Sequence, residues 1–530
     1  MEVPTFLWCP RRAAPVQLRH KLVIGGLVGF GSMSLFALGD LWFRERHVGH
    51  PASFLLLSLA LWFGLSRVAF QLFTLKSICR APELPAPPGL RVAVFITAAP
   101  SEPLSMFGKT LSAAVAIRYP HKTYLLDGTG DPAFRALAER CGAIWLDVAR
   151  VEGAKAGKIN AALAQTDEDL VLVLDPDHVP LPEFLDRVLG HFQDETVGFV
   201  QVSQAYYNQR RSAVARAAAE QTYGFYGPVQ MGLYGLGAAL AIGANCTFRR
   251  EALASIGGHA VGLAEDLLTS IRLHAKGWRS IYVPEVVSRG LVPEDLGAYF
   301  TQQLKWASGA VDMLLSEYPR LFFSLSWKQR IVYFGVGTYY GTGVATAAYL
   351  VLPYLAVAQG VAPARVAVGE IVATGLPVLL VAIALQLIGQ RWFCDPSERG
   401  LHWRGMLLKL LAWPVYAYGA VSACFDVLVR YRPTPKRPLP NQQLGWLWPH
   451  LAVLALFTAA AGVAALERYR SATVERLWHD AQLFWVMLAF AALAAIAAGL
   501  ACIWAVSSEL AEEGEPWRHV PAALACEEAE

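Results

Sequence analysis

The sequence lacks the cysteine pattern of a zinc-binding module and the basic excess of a nucleic-acid-binding protein. Its eight cysteines are scattered singly, with no C-x-x-C pair and no cysteine–histidine spacing suited to zinc. Charged residues make up only 16% of the 530 residues and the net charge is +3, so a clustered basic surface is missing. Internal repeats and low-complexity tracts are also absent. We therefore expect neither a zinc module nor a nucleic-acid partner.

Hydrophobic residues, in contrast, are abundant. They make up 55% of the chain and the mean hydropathy is +0.37, which is too apolar for a wholly soluble protein. Two stretches, 22–41 and 53–75, are each long enough to cross about 30 Å of hydrocarbon as a helix. Basic residues precede the first stretch and no small-residue cleavage site follows it, so we predict a retained helical hairpin with a cytosolic N-terminus. Four further spans are predicted at 331–357, 366–389, 447–466 and 483–506.

Two features of the apolar regions leave alternatives open. Residues 403–429 are apolar enough to cross a membrane but carry Arg404 and Lys409 near their start. We expect an amphipathic helix at the cytosolic interface there rather than a seventh span. Arg67 lies inside the second predicted span, where it either faces a polar cavity or extends toward the nearby interface.

Between the apolar regions, residues 81–327 alternate short β-branched runs with helical segments rich in Ala, Leu and Arg. This pattern is typical of an α/β domain with a largely parallel sheet. Ligands of such sheets bind at the carboxyl ends of the strands, where polar loop residues can meet phosphates. Four strands are predicted, at 91–97, 122–127, 143–148 and 169–177.

An acidic pair follows the last of these strands, in Asp175-Pro-Asp177-His178. Two carboxylates at the end of a strand can hold a divalent cation, Mg²⁺ or Mn²⁺, that binds the two phosphates of a nucleotide-sugar. The metal would offset the negative charge that builds on the leaving diphosphate. The alternative interpretation is an acidic surface turn.

Two further clusters lie downstream. Glu265 and Asp266 open a predicted helix, and a carboxylate there can remove the proton from an attacking hydroxyl. The helix dipole alone also favours acidic residues in a first turn. Gln302, Lys305 and Trp306 lie on a helical segment before the next apolar stretch. A tryptophan can stack on a pyranose and a lysine can reach a diphosphate, although this pair is also common at membrane interfaces.

In this order, and followed by apolar stretches, the three clusters resemble the D…D-x-D…T-E-D…Q-x-x-R-W signature of the family 2 processive glycosyltransferases, which include cellulose, curdlan, chitin and hyaluronan synthases. Residues 155–160 (KAGKIN), 243–253 and 274–280 resemble other segments of that family. The resemblance covers residues 92–318 well. It implies an α/β nucleotide-sugar-binding domain of GT-A type, inserted in an α-helical transmembrane bundle.

The resemblance also implies roles for single residues. It assigns the metal to Asp175 and Asp177, the general base to Asp266, nucleotide-sugar binding to Asp127, Lys155, Asp175, Gln302 and Lys305, and acceptor binding to Glu265 and Trp306. Asp127 stands alone where many members have two aspartates, and Lys305 replaces the usual arginine, which loses the planar fork that grips phosphate. Residues 201–204 and 241–245 depart from the acceptor motifs of the family, so the linkage stays open.

A loop after the ambiguous stretch completes the resemblance. Tyr431-Arg-Pro-Thr434-Pro-Lys436 is similar to the F-x-V-T-x-K gating loop of cellulose synthase, which implies closure over bound nucleotide and exclusion of water. A proline-rich basic membrane loop is the alternative. A cytosolic loop also favours an interfacial 403–429, because a spanning helix would place the loop outside.

These features predict a membrane-embedded, inverting, processive glycosyltransferase that builds a β-glucan (β-1,3, β-1,4 or mixed) from UDP-glucose and couples synthesis to export. We expect a bacterial-type inner (plasma) membrane, a cytosolic catalytic domain and cytosolic termini, with UDP-glucose, the growing polysaccharide, lipid and accessory export subunits as partners. The alternatives are a non-processive transferase with a lipid acceptor, a chitin- or hyaluronan-like synthase, and a receptor or transporter with an inert domain.

The same interpretation divides the chain into six segments. They are a transmembrane hairpin (1–80), a cytosolic glycosyltransferase domain (81–328), transmembrane helices (329–390), an interfacial helix with the gating-like loop (391–445), further transmembrane helices (446–507) and a short cytosolic tail (508–530).

Overall fold

The computed structural model describes residues 16–100, 102–359, 362–394, 398–427, 429, 433–436, 444–470 and 481–507. Two long helices come first, α1 (Leu18–Trp42) and α2 (Pro51–Lys76). An α/β domain follows them, and a second set of apolar helices follows the domain. Two predictions, the gating role of Tyr431 and the cytosolic tail at 508–530, lie outside the described residues.

The α/β domain is built on a seven-stranded sheet with the strand order β3-β2-β1-β4-β8-β6-β9. The four predicted strands are confirmed, with ends that differ by at most three residues, and β8 runs antiparallel to both of its neighbours. A smaller sheet with the order β5-β10-β7 lies beside it. The strands are β1 (Val92–Ala98), β2 (Lys122–Asp127), β3 (Ile144–Asp147), β4 (Leu170–Leu174), β5 (Val179–Pro180), β6 (Val197–Val202), β7 (Ala205–Tyr206), β8 (Cys246–Arg249), β9 (Arg279–Val283) and β10 (Ser288–Gly290).

Helices cover both faces of the large sheet, which explains why two of its central strands, β1 and β4, are mostly apolar. Every residue of β1 and of β4 is buried, as expected for strands packed on two sides. The helices of this region are α3 (Leu104–Val115), α4 (Pro132–Arg140), α5 (Ala154–Leu163), α6 (Phe184–Val188), α7 (Ala213–Glu220), α8 (Gln230–Gly235), α9 (Arg250–Ser255), α10 (Glu265–Ala275), α11 (Leu296–Leu315) and α12 (Glu317–Leu321).

The apolar helices after the domain only partly match the predicted spans. They are α13 (Trp327–Gly337), α14 (Thr342–Gln359), α15 (Val368–Gly389), α16 (Trp403–Leu411), α17 (Trp413–Cys424), α18 (Trp448–Arg470) and α19 (Ala481–Ser507). Among the described residues, three helical stretches are long and apolar enough to cross a membrane, Leu18–Trp42, Pro51–Lys76 and Val368–Trp392. The six-span topology and its orientation stay predictions.

The predicted span at 331–357 is divided between two helices. Helix α13 ends at Gly337, and a short 3₁₀ turn separates it from α14. Arg67 of α2 explains how the break is tolerated, because its guanidinium donates to the carbonyl of Gly335 (2.5 Å) and to the Thr338 hydroxyl (3.1 Å). Carbonyl groups at a helix end lack partners within the helix, and Arg67 satisfies one of them.

The ambiguous stretch 403–429 is two helices rather than one. Helices α16 and α17 meet at an angle of 50°, and Pro414, which lacks an N–H, follows the bend. Helix α17 packs along α11 and α14, with Gly419 close to Ala307 and Ser308 of α11. Its placement at the membrane interface stays a prediction.

Candidate active site

One cavity at the carboxyl ends of β1 and β4 gathers residues from distant parts of the chain. It is lined by the loop after β4, the first turns of α5 and α10, the middle of α11 and the loop at 433–436. Of the described residues to which the sequence assigns a role, all except Asp127 line it. Those lining it are Lys155, Asp175, Asp177, Glu265, Asp266, Gln302, Lys305, Trp306, Thr434 and Lys436.

The acidic pair after β4 is held between cationic side chains. Lys155 forms an ion pair with Asp175, and Lys436 Nζ lies 2.5 Å from Asp177 Oδ2. His178 Nδ1 lies 3.0 Å from the other oxygen of Asp177. Burial alone would raise the pKa of both aspartates, but these neighbours hold each pKa below its ordinary value. Both carboxylates therefore remain ionised at neutral pH.

The same carboxylates are suited to a divalent cation. One ligand atom each from Asp175, Asp177 and His178 lie within 4.8 Å of one another. Carboxylate oxygens are the ligands that Mg²⁺ and Mn²⁺ prefer, so the donor set fits either ion. Because Lys436 contacts Asp177, a cation that binds Asp177 through Oδ2 has to displace that ammonium group.

The side chain of Lys155 is held by a backbone carbonyl group as well as by Asp175. It lies in the first turn of α5, and its ammonium also donates to the carbonyl of Gly243. Gly243 has a φ of +85°, a left-handed conformation that glycine adopts without strain. Burial would lower the pKa of Lys155, but Asp175 and Glu265 raise it above its ordinary value, so the group stays charged.

Asp266, the predicted base, lies in the first turn of α10. Its Oδ1 accepts a hydrogen bond from the backbone N–H of Leu267 (2.8 Å). Burial, together with the adjacent carboxylate of Glu265, raises the pKa of Asp266 to about 7. A carboxylate with this pKa is able to accept a proton near neutral pH, as general base catalysis requires.

The predicted helical cluster lies on α11 and also lines the cavity. Asp295 caps the start of this helix by accepting from the backbone N–H of Ala298 (2.9 Å). Gln302, Lys305 and Trp306 follow along the helix and face the cavity. Burial lowers the pKa of Lys305, although the charges of Glu265 and Asp175 oppose that change.

Asp127 lies at the end of β2 but does not line the cavity. Its Oδ1 accepts from the backbone N–H (2.7 Å) and the hydroxyl (2.6 Å) of Thr129, and its Oδ2 accepts from Trp145 Nε1 (3.0 Å). Both oxygens are thus engaged within the protein. Its contact with uridine stays a prediction.

Sequence reasoning missed other residues that line the cavity. Glu102, in the loop after β1, accepts from the backbone N–H of Ala99 (2.8 Å), and burial raises its pKa to about 7. Lys158, one turn after Lys155, donates to the carbonyl of Ala98 (2.5 Å). The expectation that ligands gather where parallel strands end would have drawn attention to Glu102, because β1 is a central strand.

Comparisons with known proteins find two family matches along the chain. Residues 87–309 match the family model described as "Glycosyltransferase like family 2", and residues 254–393 match the one described as "Cellulose synthase". The chain is 32% identical over 295 residues to a cellulose synthase catalytic subunit [UDP-forming] of Komagataeibacter sucrofermentans, covering 53% of this chain and 39% of that protein. It is 30% identical over 262 residues to the corresponding Pseudomonas fluorescens subunit, covering 48% and 36%.

The chain thus spans about two fifths of the length of these two curated relatives. Among solved structures, the mannosyltransferase of Pyrobaculum calidifontis in complex with GDP-Man and Mn²⁺ is similar with a TM-score of 0.47 and 17% identity, covering 70% of this chain and 99% of that one. The cellulose synthase match at 254–393 overlaps the C-terminal part of the family 2 glycosyltransferase match at 87–309 and extends into the apolar helices.

Proposed function

We propose that this protein is a membrane-embedded, inverting, processive glycosyltransferase that polymerises glucose from UDP-glucose into a β-glucan and exports the product. The observation that carries the proposal is the convergence of acidic, basic and aromatic groups from distant segments on one cavity, with Lys436 paired to Asp177. The cellulose synthase relatives, described as UDP-forming, support the donor and the polymerising activity.

The cavity offers separate places for donor and acceptor. Lys155, Lys305 and Lys436 bring three positive charges to the diphosphate, and Asp175 and Asp177 hold Mg²⁺ or Mn²⁺. The bound metal supplies charge stabilisation for the leaving diphosphate. Gln302 contacts the diphosphate or the acceptor.

Asp266 takes the proton from the acceptor hydroxyl, whose oxygen then attacks the anomeric carbon of the glucosyl unit. The bond to the diphosphate breaks on the opposite face, so an α-linked donor gives a β-linkage. Trp306 stacks the acceptor sugar and Glu265 binds its hydroxyl groups. Thr434 and Lys436 close the cavity and exclude water.

The packing of α11 against helices of the apolar region supports processive synthesis and export. The helix that carries Trp306 packs against α17 and α13, both in the apolar part of the chain. A polar glucan needs a protein-lined path across the membrane, because lipid cannot satisfy its hydroxyl groups.

The test is to incubate the purified full chain with labelled UDP-glucose and Mg²⁺ or Mn²⁺, and to digest the product with linkage-specific glucanases. We expect a polymer that forms only when the metal is present. A β-1,3-specific glucanase, a β-1,4-specific glucanase or the two together should degrade it. A product carrying a single sugar, or label recovered only in lipid, would contradict processive synthesis, and no transfer in the presence of metal would contradict the activity itself.

A further inference from the structure

A buried threonine contacts the turn that carries the acidic pair. Thr110 lies on α3 and is 1% exposed. Its hydroxyl group donates a hydrogen bond to the carbonyl of Pro176 (2.6 Å), the residue between Asp175 and Asp177. Helix α3 also packs against β5, the short strand that follows the turn. Thr110 thus holds the backbone of the acidic turn, although it does not itself line the cavity.

The turn at 175–178 has two possible forms. It is closed by a hydrogen bond from the backbone N–H of His178 to the carbonyl of Asp175 (3.0 Å). Types I and II of such a turn differ by a flip of the central peptide unit, which here joins Pro176 to Asp177. Proline suits the second position of both types. The third residue has a positive φ in type II, and aspartate tolerates that conformation better than most residues. The residues of the turn therefore do not by themselves fix one form.

The Thr110 hydroxyl group favours one of these forms over the other. Asp177 does not have a positive φ, so the observed turn is not of type II. A flip of the central peptide unit would turn the Pro176 carbonyl away from Thr110 and break their hydrogen bond. Both residues are buried, so water would not replace the lost partner, and an unpaired buried polar group is unfavourable. The hydrogen bond therefore stabilises the observed form.

The form of the turn affects the metal site, because a flip of the peptide unit changes φ of Asp177 and with it the direction of the carboxylate. In the observed form, one ligand atom each from Asp175, Asp177 and His178 lie within 4.8 Å of one another. We propose that Thr110 is a positioning residue of the metal site, whose hydroxyl group holds the turn in the form that brings both carboxylates to one cation. This inference rests on the proposed function, since it presumes that the carboxylates hold Mg²⁺ or Mn²⁺.

The test measures the affinity for Mn²⁺, which requires no catalysis. Electron paramagnetic resonance titrations of free Mn²⁺ would be made on the full chain for wild type, Thr110→Val, Thr110→Ala and Thr110→Ser. Valine has the size of threonine without its hydroxyl group, whereas serine keeps the hydroxyl group. We expect Mn²⁺ to bind the valine and alanine variants about tenfold more weakly than wild type, and the serine variant within about twofold of wild type. The alanine variant keeps the comparison if the valine variant does not fold.

Thr247→Val is the matched control. Thr247 of β8 is as buried as Thr110, but among the described residues its hydroxyl group has no hydrogen-bond partner. The substitution therefore breaks no hydrogen bond, and Mn²⁺ affinity should stay within about twofold of wild type. Thermal unfolding midpoints of all variants separate a loss of metal affinity from a loss of stability.

Three results would overturn the inference. Wild-type Mn²⁺ affinity in Thr110→Val would show that the turn keeps its form without the hydroxyl group. Equal losses in Thr110→Ser and Thr110→Val would assign the effect to packing of the threonine methyl group. An equal loss in Thr247→Val would show a general effect of replacing a buried hydroxyl group. Failure of wild type to bind Mn²⁺, or wild-type affinity in Asp177→Asn, would instead contradict the metal site of the proposed function, and this inference with it.

Discussion

The catalytic domain and the apolar helices hold their buried charges in different ways. In the cavity, Asp175 and Asp177 are paired with the ammonium groups of Lys155 and Lys436, charge against charge. Between the helices, Arg67 is held by a backbone carbonyl and a hydroxyl group. A metal ion can replace the lysines beside the aspartates, and a diphosphate can replace the aspartates beside the lysines. Arg67 instead hydrogen-bonds to the chain where α13 ends. Substitutions in the two regions should therefore affect different properties.

The largest effect is expected for the proposed base in the cavity. Asp266→Asn replaces this carboxylate with a group of the same size that cannot take up the acceptor proton, so transfer from UDP-glucose should fall between about 10²- and 10⁴-fold. Binding of UDP should be nearly unchanged. Initial rates of glucose incorporation and UDP titrations check both expectations, with Glu251→Gln on the surface of α9 as control. Wild-type rates in the Asp266 variant would remove it as the base.

The pH dependence of the reaction tests the same residue without a substitution. Asp266 has to be ionised to act, and its pKa is raised to about 7, so the active fraction falls as the pH drops below that value. We expect kcat/KM for UDP-glucose to decrease about tenfold per pH unit below 7 and to level off above it. Profiles measured at constant ionic strength, beside UDP affinities, separate catalysis from binding. A decrease in kcat/KM that begins only near pH 4 would mean that the essential carboxylate has an ordinary pKa, which would contradict this prediction.

In the helical region the expected loss is in stability. Arg67→Met removes the two hydrogen bonds that the guanidinium donates to the Gly335 carbonyl and the Thr338 hydroxyl, which costs about 1–3 kcal/mol in the free energy of unfolding. The midpoint of thermal unfolding in detergent should fall, while the KM for UDP-glucose stays the same. A lower KM or kcat with an unchanged midpoint would mean that Arg67 acts on the active site.

The smallest effect concerns metal binding. Lys436→Met frees Asp177 Oδ2, so in the absence of nucleotide Mn²⁺ should bind about tenfold more tightly than to wild type. Electron paramagnetic resonance titrations of free Mn²⁺ measure this, with the exposed Lys276→Met as a matched control. Equal or weaker Mn²⁺ binding by the Lys436 variant would show that the ammonium group does not compete with the metal.

The two regions also differ in how well the sequence predicts them. Strand β2 was predicted at its observed bounds, because short β-branched runs between helical segments are a local signal. The break after Gly337 was not predicted, and the Arg67 side chain that hydrogen-bonds beside it lies 268 positions away from Gly335 in the chain. Because Thr110 and Pro176 are likewise 66 positions apart, the hydrogen bond between them cannot be inferred from spacing. The cavity residues were found because their motifs resemble a known family, not because of their periodicity.

The central claim is that Asp175 and Asp177 hold a metal against the diphosphate of the donor. The most direct measurement is electron-nuclear double resonance of Mn²⁺ bound to the full chain in the presence of UDP, for wild type and Asp177→Asn. We predict phosphorus hyperfine coupling from the UDP phosphates in wild type, and its loss in the variant. Mn²⁺ without phosphorus coupling in wild type, or the same coupling in Asp177→Asn, would contradict the claim.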